Sequence, residues 1–355
     1  MAEQDIGFAV VGLGMGRAHA RDITDAQGAR LIAVCDIDED RLNEIGDQYG
    51  VKKYTQFEDL LKDTEVEVVN ICTPSGMHSD MAVQAAQAGK HIISEKPPDI
   101  AVEKVDAMVA AARGAGVKLG VIFQSRFEPV NRKIKAAIEA GRLGKLFGAH
   151  GDVRWYRTQA YYEDPKHGSW KGTWRWDGGG SLMNQGVHTV DLIQWLMGPV
   201  ESVFGYTGMF AHQIETEDKT VAVLKFRNGA IGTISTMTTA YPGLTTELFI
   251  HGEKGSIVKS DGDLQRWRIQ GEDEEEEEQI MIATYGPKDQ RDASVASDPM
   301  ALSWRGHKAQ VEDMVKAIRE DRDPEITGES ARHAVEVVNA IYQSARTGQE
   351  VRLST

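Results

Sequence analysis

The sequence predicts a protein of two domains that belong to different fold classes. Apolar runs of strand length alternate with helix-like segments through the first third of the chain, which is typical of a doubly wound, mainly parallel α/β sheet. Longer extended segments follow from residue 145 onward and favour an α+β domain with an open-faced, mainly antiparallel sheet. A chain of 355 residues can build a core in each domain. We place the first domain at residues 1–125 and the second, with the C-terminal helices, at residues 126–355.

The first domain begins with an apolar strand that leads into a glycine-rich turn. Residues 6–11 are continuously apolar, as in a parallel strand buried on both faces, and residues 17–27 are helix-like. The first glycine of such a turn permits the sharp bend, and the second lets the backbone approach a pyrophosphate at the helix N-terminus. The third glycine comes one position earlier than in G-x-G-x-x-G. The turn consists of Gly12, Leu13, Gly14, Met15 and Gly16.

An acidic residue follows at the end of the second predicted strand. Residues 31–35 form this strand, and Asp36 comes directly after it. A carboxylate there can accept hydrogen bonds from the ribose hydroxyls of NAD and repel the 2′-phosphate of NADP. The order of strand, glycines, helix, strand and acid predicts a Rossmann-type dinucleotide site that prefers NAD. Arg41 on the following helix is the residue that could favour NADP instead.

The remainder of the first domain continues the alternation of strands and helices. Thr73 and Pro74 follow one apolar strand, and Glu95 and Lys96 follow the next. Ligands of open α/β sheets bind outside the carboxyl ends of the strands, so these residues can face one crevice with the glycine turn. Lys96 there indicates proton chemistry beside a cofactor, or else an ordinary surface lysine in a turn. The predicted elements are helices at 39–49, 57–62, 77–88 and 102–114 and strands at 52–54, 66–72, 91–95 and 117–123.

The second domain is predicted to be mainly an antiparallel sheet between helices. Asn228 and Gly229 separate two strand candidates and indicate a type I′ hairpin. The acidic run at 272–278 is interpreted as a solvated hairpin tip. The predicted strands lie at 145–157, 200–210, 219–227, 230–239 and 245–251, and the helices at 129–140, 305–320 and 330–345.

A second cluster of chemically active residues follows a glycine run at 178–180. Asn184, His188 and Asp191 have the spacing i, i+4, i+7 and would share one face of a helix that ends at Met197. This polar stripe is either a site or an N-cap asparagine with a core histidine paired to an aspartate. Aromatic residues crowd the preceding segment, Tyr156 and Trp174 among them, and serve either packing or the stacking of sugar rings.

Composition and charge argue against several classes of protein. The formal net charge is −14, which disfavours nucleic acid and anionic membranes as partners. Two cysteines provide neither a disulfide framework nor a zinc site, and we expect no metal. Apolar stretches are too short to cross a bilayer, and residues 1–5 leave no room for a signal peptide before the first strand. A cytoplasmic protein is the simplest expectation.

These motifs together resemble the family of glucose–fructose oxidoreductase, inositol dehydrogenase and rhizopine-catabolism proteins. The resemblance covers nearly the whole length and implies a Rossmann domain, an open-faced sheet that often mediates oligomerisation, NAD(P) and a sugar or cyclitol substrate. Pro98, Asp99 and Asn184, which replaces a frequent aspartate, depart from the family pattern. The matching pieces are residues 12–16 with His19, Cys35 with Asp36, residues 73–78, residues 95–97, and residues 178–180 with Asn184 and His188.

The resemblance also implies roles for individual residues. Lys96 and His188 match the catalytic lysine and histidine, and Asp191 matches a position that often contacts substrate hydroxyls. Residues 184–188 are similar to dehydrogenases of UDP-linked N-acetylhexosamine uronates, which oxidise the C3 hydroxyl. Lys96, Tyr156, Trp174, Asn184, His188 and Asp191 are the expected substrate contacts. The expected cofactor contacts are Gly12, Leu13, Gly14, Met15, Gly16, Asp36, Thr73, Pro74, His78, Glu95 and Lys96.

The predicted reaction is hydride transfer from a secondary carbinol carbon to nicotinamide. His188 is the first choice as general base because the usual pKa of histidine, about 6.5, suits neutral pH. Lys96 would stabilise the developing alkoxide, although the two roles can be exchanged. Asn184 would orient the substrate. Two alternatives remain, an NAD-dependent glycosidase that oxidises its sugar transiently and a non-catalytic NAD-binding protein.

Overall fold

The chain folds into two compact units, in a computed structural model that describes residues 4–164, 169–287, 296 and 305–354. The first unit comprises Met1–Gln124, Arg175–Asp177 and Trp304–Val335. The second comprises Ser125–Trp174, Gly178–Ser303 and Glu336–Thr355. The chain thus first passes from one unit to the other after residue 124, next to the boundary predicted at residue 125. No helix of the described ranges is long and apolar enough to cross a membrane.

The first unit contains a six-stranded, wholly parallel sheet in the order β3-β2-β1-β4-β5-β6. This order, with helices between successive strands, is that of a doubly wound nucleotide-binding sheet and confirms the predicted class. Its elements are β1 Ile6–Val11, α1 Gly16–Asp25, β2 Ala29–Cys35, α2 Glu39–Tyr49, β3 Lys52–Tyr54, α3 Phe57–Leu61, β4 Val68–Ile71, α4 His78–Gln87, β5 His91–Ser94, α5 Val102–Ala115 and β6 Leu119–Val121.

The second unit contains an eight-stranded mixed sheet in the order β13-β12-β11-β7-β10-β9-β8-β14. Strands β7 and β10 pair in parallel and the other neighbours are antiparallel, as predicted for a mainly antiparallel sheet. The elements from residue 129 onward are α6 Pro129–Glu139, β7 Leu146–Arg154, α7 Gln159–Glu163, α8 Val187–Met197, β8 Val200–Gly208, β9 Lys219–Phe226, β10 Ile231–Met237, β11 Thr246–Gly252, β12 Gly255–Ser260, β13 Asp263–Ile269, α9 Glu274–Tyr285, α10 Arg305–Arg319, α11 Gly328–Thr347 and β14 Val351–Arg352.

Helix α10 belongs to the first unit, although the sequence-based division places the whole C-terminal segment in the second. Val311, Met314 and Val315 lie in the same apolar cluster as Phe8 of β1 and Ile23 of α1. Burying the apolar stripe of α10 against the parallel sheet accounts for this return of the chain. The sequence pattern shows that α10 is amphipathic but not which sheet it covers.

The turns of the second unit correct the hairpin prediction. Among the described residues, the non-glycine residues with positive φ are Asp261 and Asp321, so Asn228 does not meet the requirement of a type I′ turn. The Gly229 N–H donates to the Phe226 carbonyl at 2.9 Å, and Gly229 alone takes the left-handed conformation, with φ +88°. The connection between β9 and β10 comprises the four residues 227–230. The two-residue turn with two positive φ values is Asp261–Gly262, between β12 and β13.

The acidic run is helical rather than a hairpin tip. Four glutamates, from Glu274 to Glu277, occupy the first turn of α9, where negative charge interacts favourably with the helix dipole. Four of the run's residues also have cationic partners. Glu277 pairs with Arg142 at 2.6 Å, and Arg268 lies 3.6 Å from Glu274, 3.4 Å from Glu275 and 2.7 Å from Glu278. The prediction of a hairpin tip is therefore wrong, whereas Glu272, Asp273, Glu275 and Glu276 are exposed, as expected of a solvated run. Strands β12 and β13, which precede this helix, are absent from the predicted set.

Candidate functional site

The glycine turn after β1 has the geometry that its sequence predicts. Gly12 has a φ of +84°, and a Cβ there would lie 2.7 Å from the Cys72 backbone. A Cβ on Gly16 would lie 2.6 Å from Val10 Cγ1, so this glycine permits α1 to pack on β1. At Gly14 the nearest atom would be the Arg41 guanidinium, 3.7 Å away. The backbone at Gly14 is thus open to a ligand, next to a helix N-terminus whose cap, Met15, makes no side-chain hydrogen bond.

Asp36 fixes the glycine turn through its carboxylate. The Leu13 N–H donates to Asp36 Oδ2 at 2.6 Å, and the Asp38 N–H donates to Oδ1 at 2.9 Å. Leu13 has a fully buried side chain and therefore offers a ligand only its backbone. Arg41 Nη1 lies 3.6 Å from Asp36 Oδ2 and Nη2 lies 2.9 Å from Asp38. The acid and the arginine that bear on the choice between NAD and NADP are therefore neighbours.

His78 joins two loops at the carboxyl edge of the parallel sheet. Its Nε2 lies 2.8 Å from the Thr73 carbonyl, after β4, and its Nδ1 lies 2.7 Å from the Pro97 carbonyl, after β5. The ring is buried, and Pro74 starts a short 3-10 turn above it. Both ring nitrogens thus have backbone partners. His78 is placed to hold the loop after Thr73 beside the loop after Lys96.

Glu95 lies in a buried cluster directly before Lys96. Its Oε1 accepts a hydrogen bond from His19 Nε2 at 2.8 Å, and its Oε2 accepts from the Lys96 backbone N–H at 2.9 Å. Asn70 Nδ2 lies 3.1 Å from His19 Nδ1, and His307 Nε2 lies 3.9 Å from Glu95 Oε1. The carboxylate predicted to contact the cofactor is committed to protein partners. It ties α1, β5 and α10 together beneath Lys96, whose own side chain is half-buried.

Burial and charge act in opposite directions on this cluster. Burial opposes ionisation of Glu95, but the hydrogen bond and charge of His19 hold the pKa of Glu95 well below its usual range. Burial likewise opposes protonation of His19, but Cys72 and Glu95 raise its pKa well above the usual value. Burial lowers the pKa of His307 to about 4, and the charge of His19 acts in the same direction. The shifts thus favour the charged forms of His19 and Glu95 and the neutral form of His307.

His307 is a residue that sequence reasoning missed. It begins the helical tail, far along the chain from the residues it approaches, and no local motif distinguishes it. His19, Glu95 and His307 are also the group that could hold a metal ion among the residues described, since their ligand atoms lie within 4.8 Å of one another. The direct hydrogen bond between His19 and Glu95 accounts for the arrangement with protein atoms alone. The expected absence of a metal stays a prediction.

The glycine run of the second unit packs against protein rather than opening a space for a ligand. A Cβ on Gly180 would lie 1.9 Å from the Glu217 carbonyl oxygen, and one on Gly179 would lie 2.0 Å from the Tyr342 hydroxyl. The Glu217 carboxylate accepts from the N–H groups of Gly180 at 3.0 Å and Leu182 at 2.7 Å. Tyr342 donates its hydroxyl to Glu217 at 3.0 Å. Gly179 and Gly180 therefore permit a buried clamp, because a side chain at either position would collide with it.

The clamp starts a π-helical turn that carries the candidate catalytic residues. Ser181–Gly186 is π-helical and continues into α8, so Asn184 lies in the π turn and His188 in the first α turn. The predicted single α-helical face is therefore interrupted by the wider turn. Single π turns are frequent at functional sites because they displace side chains from the regular helical positions. Asn184 is buried and His188 is half-buried.

Asp191 is held by an arginine that the sequence analysis did not select. Arg126 Nε donates to Asp191 Oδ2 at 2.8 Å, and its Nη2 donates to Oδ1. Both side chains are buried. Burial raises the pKa of Asp191, although the Arg126 charge acts to lower it. With both oxygens on Arg126, the predicted contact between Asp191 and substrate hydroxyls stays a prediction.

The two aromatic residues selected as sugar-stacking candidates lie in different surroundings. Trp174 is 44% exposed and packs edge-on against Tyr342, with ring centroids 5.3 Å apart. Tyr156 is half-buried and makes a T-shaped contact with Tyr241 at 5.1 Å. Trp174 therefore has free ring surface in the second unit, whereas Tyr156 is largely part of the packing.

Both units match one protein family. Residues 6–123 match the NAD-binding Rossmann fold of an oxidoreductase family, and residues 135–353 match the C-terminal alpha/beta domain of the same family. The myo-inositol 2-dehydrogenase of Thermotoga maritima is 30% identical over 255 residues, which are 70% of this chain and 73% of that protein. The two matched ranges together include all the site residues selected from the sequence.

Two crystal structures are similar to the chain over its whole length. The WlbA dehydrogenase from Bordetella pertussis, in complex with NADH and UDP-GlcNAcA, is 32% identical with a TM-score of 0.86, over 99% of this chain and 100% of that one. The WlbA enzyme from Chromobacterium violaceum, in the same kind of complex, is 32% identical with a TM-score of 0.87, over 100% and 97%. With the match of both domains, the chain belongs to the oxidoreductase family of glucose–fructose oxidoreductase, inositol dehydrogenase and rhizopine-catabolism proteins, and it has that family's NAD-binding Rossmann domain.

Proposed function

We propose that this protein is an NAD-dependent dehydrogenase that oxidises a secondary hydroxyl of a carbohydrate. The observation that carries the proposal is the match of both domains to the oxidoreductase family in a chain that keeps Lys96 and His188. Bound NAD supplies the hydride acceptor. The residues that would hold it are Asp36 and the turn from Gly12 to Gly16, where Gly14 leaves room for a pyrophosphate.

The chemical step is assigned to a base and a cationic donor. His188 accepts the proton of the reacting hydroxyl, and Lys96 donates a hydrogen bond to the same oxygen and stabilises its negative charge. In the alternative assignment, Lys96 is the general base and His188 stabilises the alkoxide. A pH–rate profile distinguishes between the two assignments. Asn184 orients the substrate because its amide both donates and accepts. Lys96 and His188 belong to different units, so this pairing rests on the family resemblance.

We further propose a UDP-linked N-acetylhexosamine uronate as the substrate, oxidised at C3. Support comes from the 32% identity to the two WlbA enzymes, whose structures contain UDP-GlcNAcA, and from residues 184–188. The inositol dehydrogenase relative supports a neutral cyclitol as the second choice. We keep self-association through the open sheet and a cytoplasmic location as proposals.

A substrate screen tests the proposed function. The protein is mixed with NAD and with sugars, sugar acids, cyclitols and UDP-sugars, and NADH is followed by absorbance while the oxidised product is identified by mass spectrometry. We expect substrate-dependent NADH formation with UDP-GlcNAcA. Hydrolysis of an aryl glycoside without net NADH would instead identify an NAD-dependent glycosidase, and binding of NAD without any turnover would identify a non-catalytic protein.

A further inference from the structure

Two histidines approach each other on the sheet of the second unit. His150 lies on β7 and His251 on β11, with ring centroids 5.9 Å apart and ring planes inclined by 56°. His150 is exposed and His251 is half-buried. The pair belongs to neither the glycine turn nor the turn that carries Asn184, and the proposed dehydrogenase reaction does not use it.

The register of the strands places both rings beside one glycine. Gly148 is paired with His251, and His150 follows two positions later on β7, so the three residues share one face of the sheet. Ile231 of β10 is paired with Gly148 on its other side and is 59% exposed, which identifies the face as an open one. Since Gly148 adds no side chain to this face, the two imidazoles border the space above it.

Both rings present the same edge to that space. A Cβ on Gly148 would lie 3.8 Å from His150 Nε2 and 3.9 Å from His251 Cδ2, the carbon that is bonded to Nε2 of that ring. These are ordinary van der Waals distances, so the space is open rather than crowded. The Nε2 sides of two imidazoles therefore converge above one point of the sheet.

A hydroxyl group holds the other nitrogen of each ring. His150 Nδ1 lies 2.9 Å from Thr233 Oγ1 on β10, and His251 Nδ1 lies 2.9 Å from Ser256 Oγ on β12. An imidazole that binds a metal ion through Nε2 donates its Nδ1–H to such a partner, which fixes the tautomer and the orientation of the ring. Within the part of the chain that the structure describes, these hydrogen bonds use Nδ1 of each histidine and leave Nε2 of each for a ligand.

The surroundings of the pair favour the form of histidine that binds metal ions. Burial lowers the pKa of His251, and the charge of His150 acts in the same direction. Metal ions bind the neutral imidazole. Asp152 and Glu247 lie further along β7 and β11 on the same face, where they pair with Arg154 at 2.9 Å and 3.0 Å. The two imidazoles are thus the ligands that this face offers, and water completes the coordination.

We propose that His150 and His251 form a binding site for a divalent transition-metal ion on the open sheet face, with Nε2 of each ring as a ligand. Imidazole nitrogens suit Zn²⁺, Ni²⁺ and Cu²⁺, and Cu²⁺ binds such sites most tightly. The site goes beyond the proposed dehydrogenase function, and its detection requires no substrate. The sequence-based expectation of no metal rests on the two cysteines and does not extend to histidines that meet across two strands.

Calorimetric titration of the untagged protein with CuCl₂, NiCl₂ and ZnCl₂ measures the binding directly. We expect His150→Gln and His251→Gln each to weaken Cu²⁺ binding by about 10²-fold, because the second ligand of a rigid pair binds the ion intramolecularly. Thr233→Val keeps both rings and removes the partner of one Nδ1, so it should weaken binding about tenfold. The electron paramagnetic resonance spectrum of bound Cu²⁺ should show two imidazole nitrogens in wild type and one in either histidine variant.

Three controls make the outcome specific. Gly148→Ala keeps both rings in place, since its Cβ makes ordinary contacts, but it occupies the space between them and should weaken Cu²⁺ binding. MgCl₂ should not compete, because Mg²⁺ prefers oxygen ligands. Thermal unfolding without metal checks that each variant folds. Equal Cu²⁺ affinity in wild type and in the variant that combines His150→Gln with His251→Gln, or a wild-type spectrum with a single nitrogen ligand, would overturn the proposal.

Discussion

At the residue scale, the buried Glu95 fixes the backbone of Lys96. One carboxylate oxygen accepts a hydrogen bond from His19 of α1, and the other accepts from the Lys96 backbone N–H. One side chain therefore fixes both α1 and the loop that carries Lys96. An ionised carboxylate in a buried place is stable only with such partners. The cluster therefore supports the candidate catalytic residue Lys96 without having to touch the substrate.

Removal of either candidate catalytic group should damage the chemical step. We expect Lys96→Met and His188→Asn each to lower kcat by about 10²–10⁴. The first removes the hydrogen-bond donor to the alkoxide, and the second removes the general base. NAD affinity should change little in His188→Asn, and some loss is compatible with Lys96→Met. Asn184→Asp should be milder and shift the pH optimum, since it adds a carboxylate near His188. Steady-state kinetics with the substrate found in the screen and titration with NAD measure these effects, and near wild-type kcat in both variants would place the chemistry elsewhere.

His307 should make stability depend on pH. Its pKa is about 4 in the fold because burial disfavours the charged ring, against about 6.5 when unfolded. The unfolded chain therefore binds the proton more readily, and stability present above pH 6.5 is lost as pH falls towards 4, by about 3 kcal/mol. His19 has a raised pKa and contributes in the opposite sense, with stability present below pH 6.5 and lost as pH rises through its folded pKa.

Denaturant unfolding of wild type and His307→Asn at pH 7 and pH 5 isolates this contribution. The free energy of unfolding should fall less steeply with acidification in the variant, even if the variant is less stable at both values. Parallel pH dependences in the two proteins would show that His307 is not the group responsible.

At the scale of elements, the π turn before α8 depends on a contact that only glycine permits. A Cβ on Gly180 would collide with the Glu217 carbonyl at 1.9 Å, in backbone that cannot move without releasing the clamp. The clamp is also the reason that Asn184 and Gln185 lie in a wider turn instead of a regular α-helix. Packing of one glycine thus sets the position of the turn that carries Asn184.

Gly180→Ala should therefore destabilise the protein strongly. We expect a loss of about 3 kcal/mol or more in the free energy of unfolding, the upper part of the range for overpacking a core. Gly229→Ala is the matched control, because its left-handed φ of +88° costs about 1 kcal/mol but nothing lies within 4 Å of the added Cβ. Urea unfolding measures both, and equal losses would contradict the importance of the clamp.

The loop between β2 and α2 should determine the choice of cofactor. Asp36 favours the 2′-hydroxyl of NAD and repels a 2′-phosphate, whereas Arg41 lies only 3.6 Å away and could attract it. We expect the apo protein to bind NAD more tightly than NADP. Asp36→Asn keeps an acceptor for the Leu13 N–H and removes the charge. The difference between the affinities for NAD and NADP should therefore become smaller. Fluorescence titration with both cofactors decides, and tighter binding of NADP by wild type would refute the prediction.

At the scale of the whole molecule, the open sheet of the second unit should join copies of the chain. Tyr206, Val221, Val223 and Ile231 are exposed apolar side chains on strands β8, β9 and β10. Such a patch usually marks an interaction surface. We expect a homo-oligomer, a dimer or tetramer, that buries this sheet face.

Light scattering at micromolar concentration tests the assembly. Wild type should exceed the 39.1 kDa of a single chain, and Val223→Glu should shift the population towards that mass, because it places a charge in an apolar interface. Ile37→Glu is the control, since Ile37 is equally apolar and 91% exposed but lies in the first unit. A 39.1 kDa species alone in wild type would refute the prediction.

The sequence by itself determined the features that depend on neighbouring residues. The alternation of strands and helices, the glycine turn after β1, the acid after β2 and the loops after β4 and β5 all follow from local periodicity and turn chemistry. The Asp261–Gly262 pair is also a sequence signature of a two-residue hairpin turn, and it would have predicted β12 and β13. Family resemblance then added roles for Lys96 and His188 that no local pattern gives.

Only the tertiary structure decided which distant residues became partners. Arg126 with Asp191, Glu217 with the glycine run, and His307 with Glu95 join positions 65, 37 and more than 200 residues apart. The chain contains 40 lysines and arginines and 54 acidic residues, so composition allows many different ion pairs. Local sequence does not distinguish which of them form. Packing selects among them, because a buried charge or a turn without a Cβ is stable only where the fold supplies its particular partner. The same packing, which buries the apolar stripe of α10 on the parallel sheet, places α10 in the first unit.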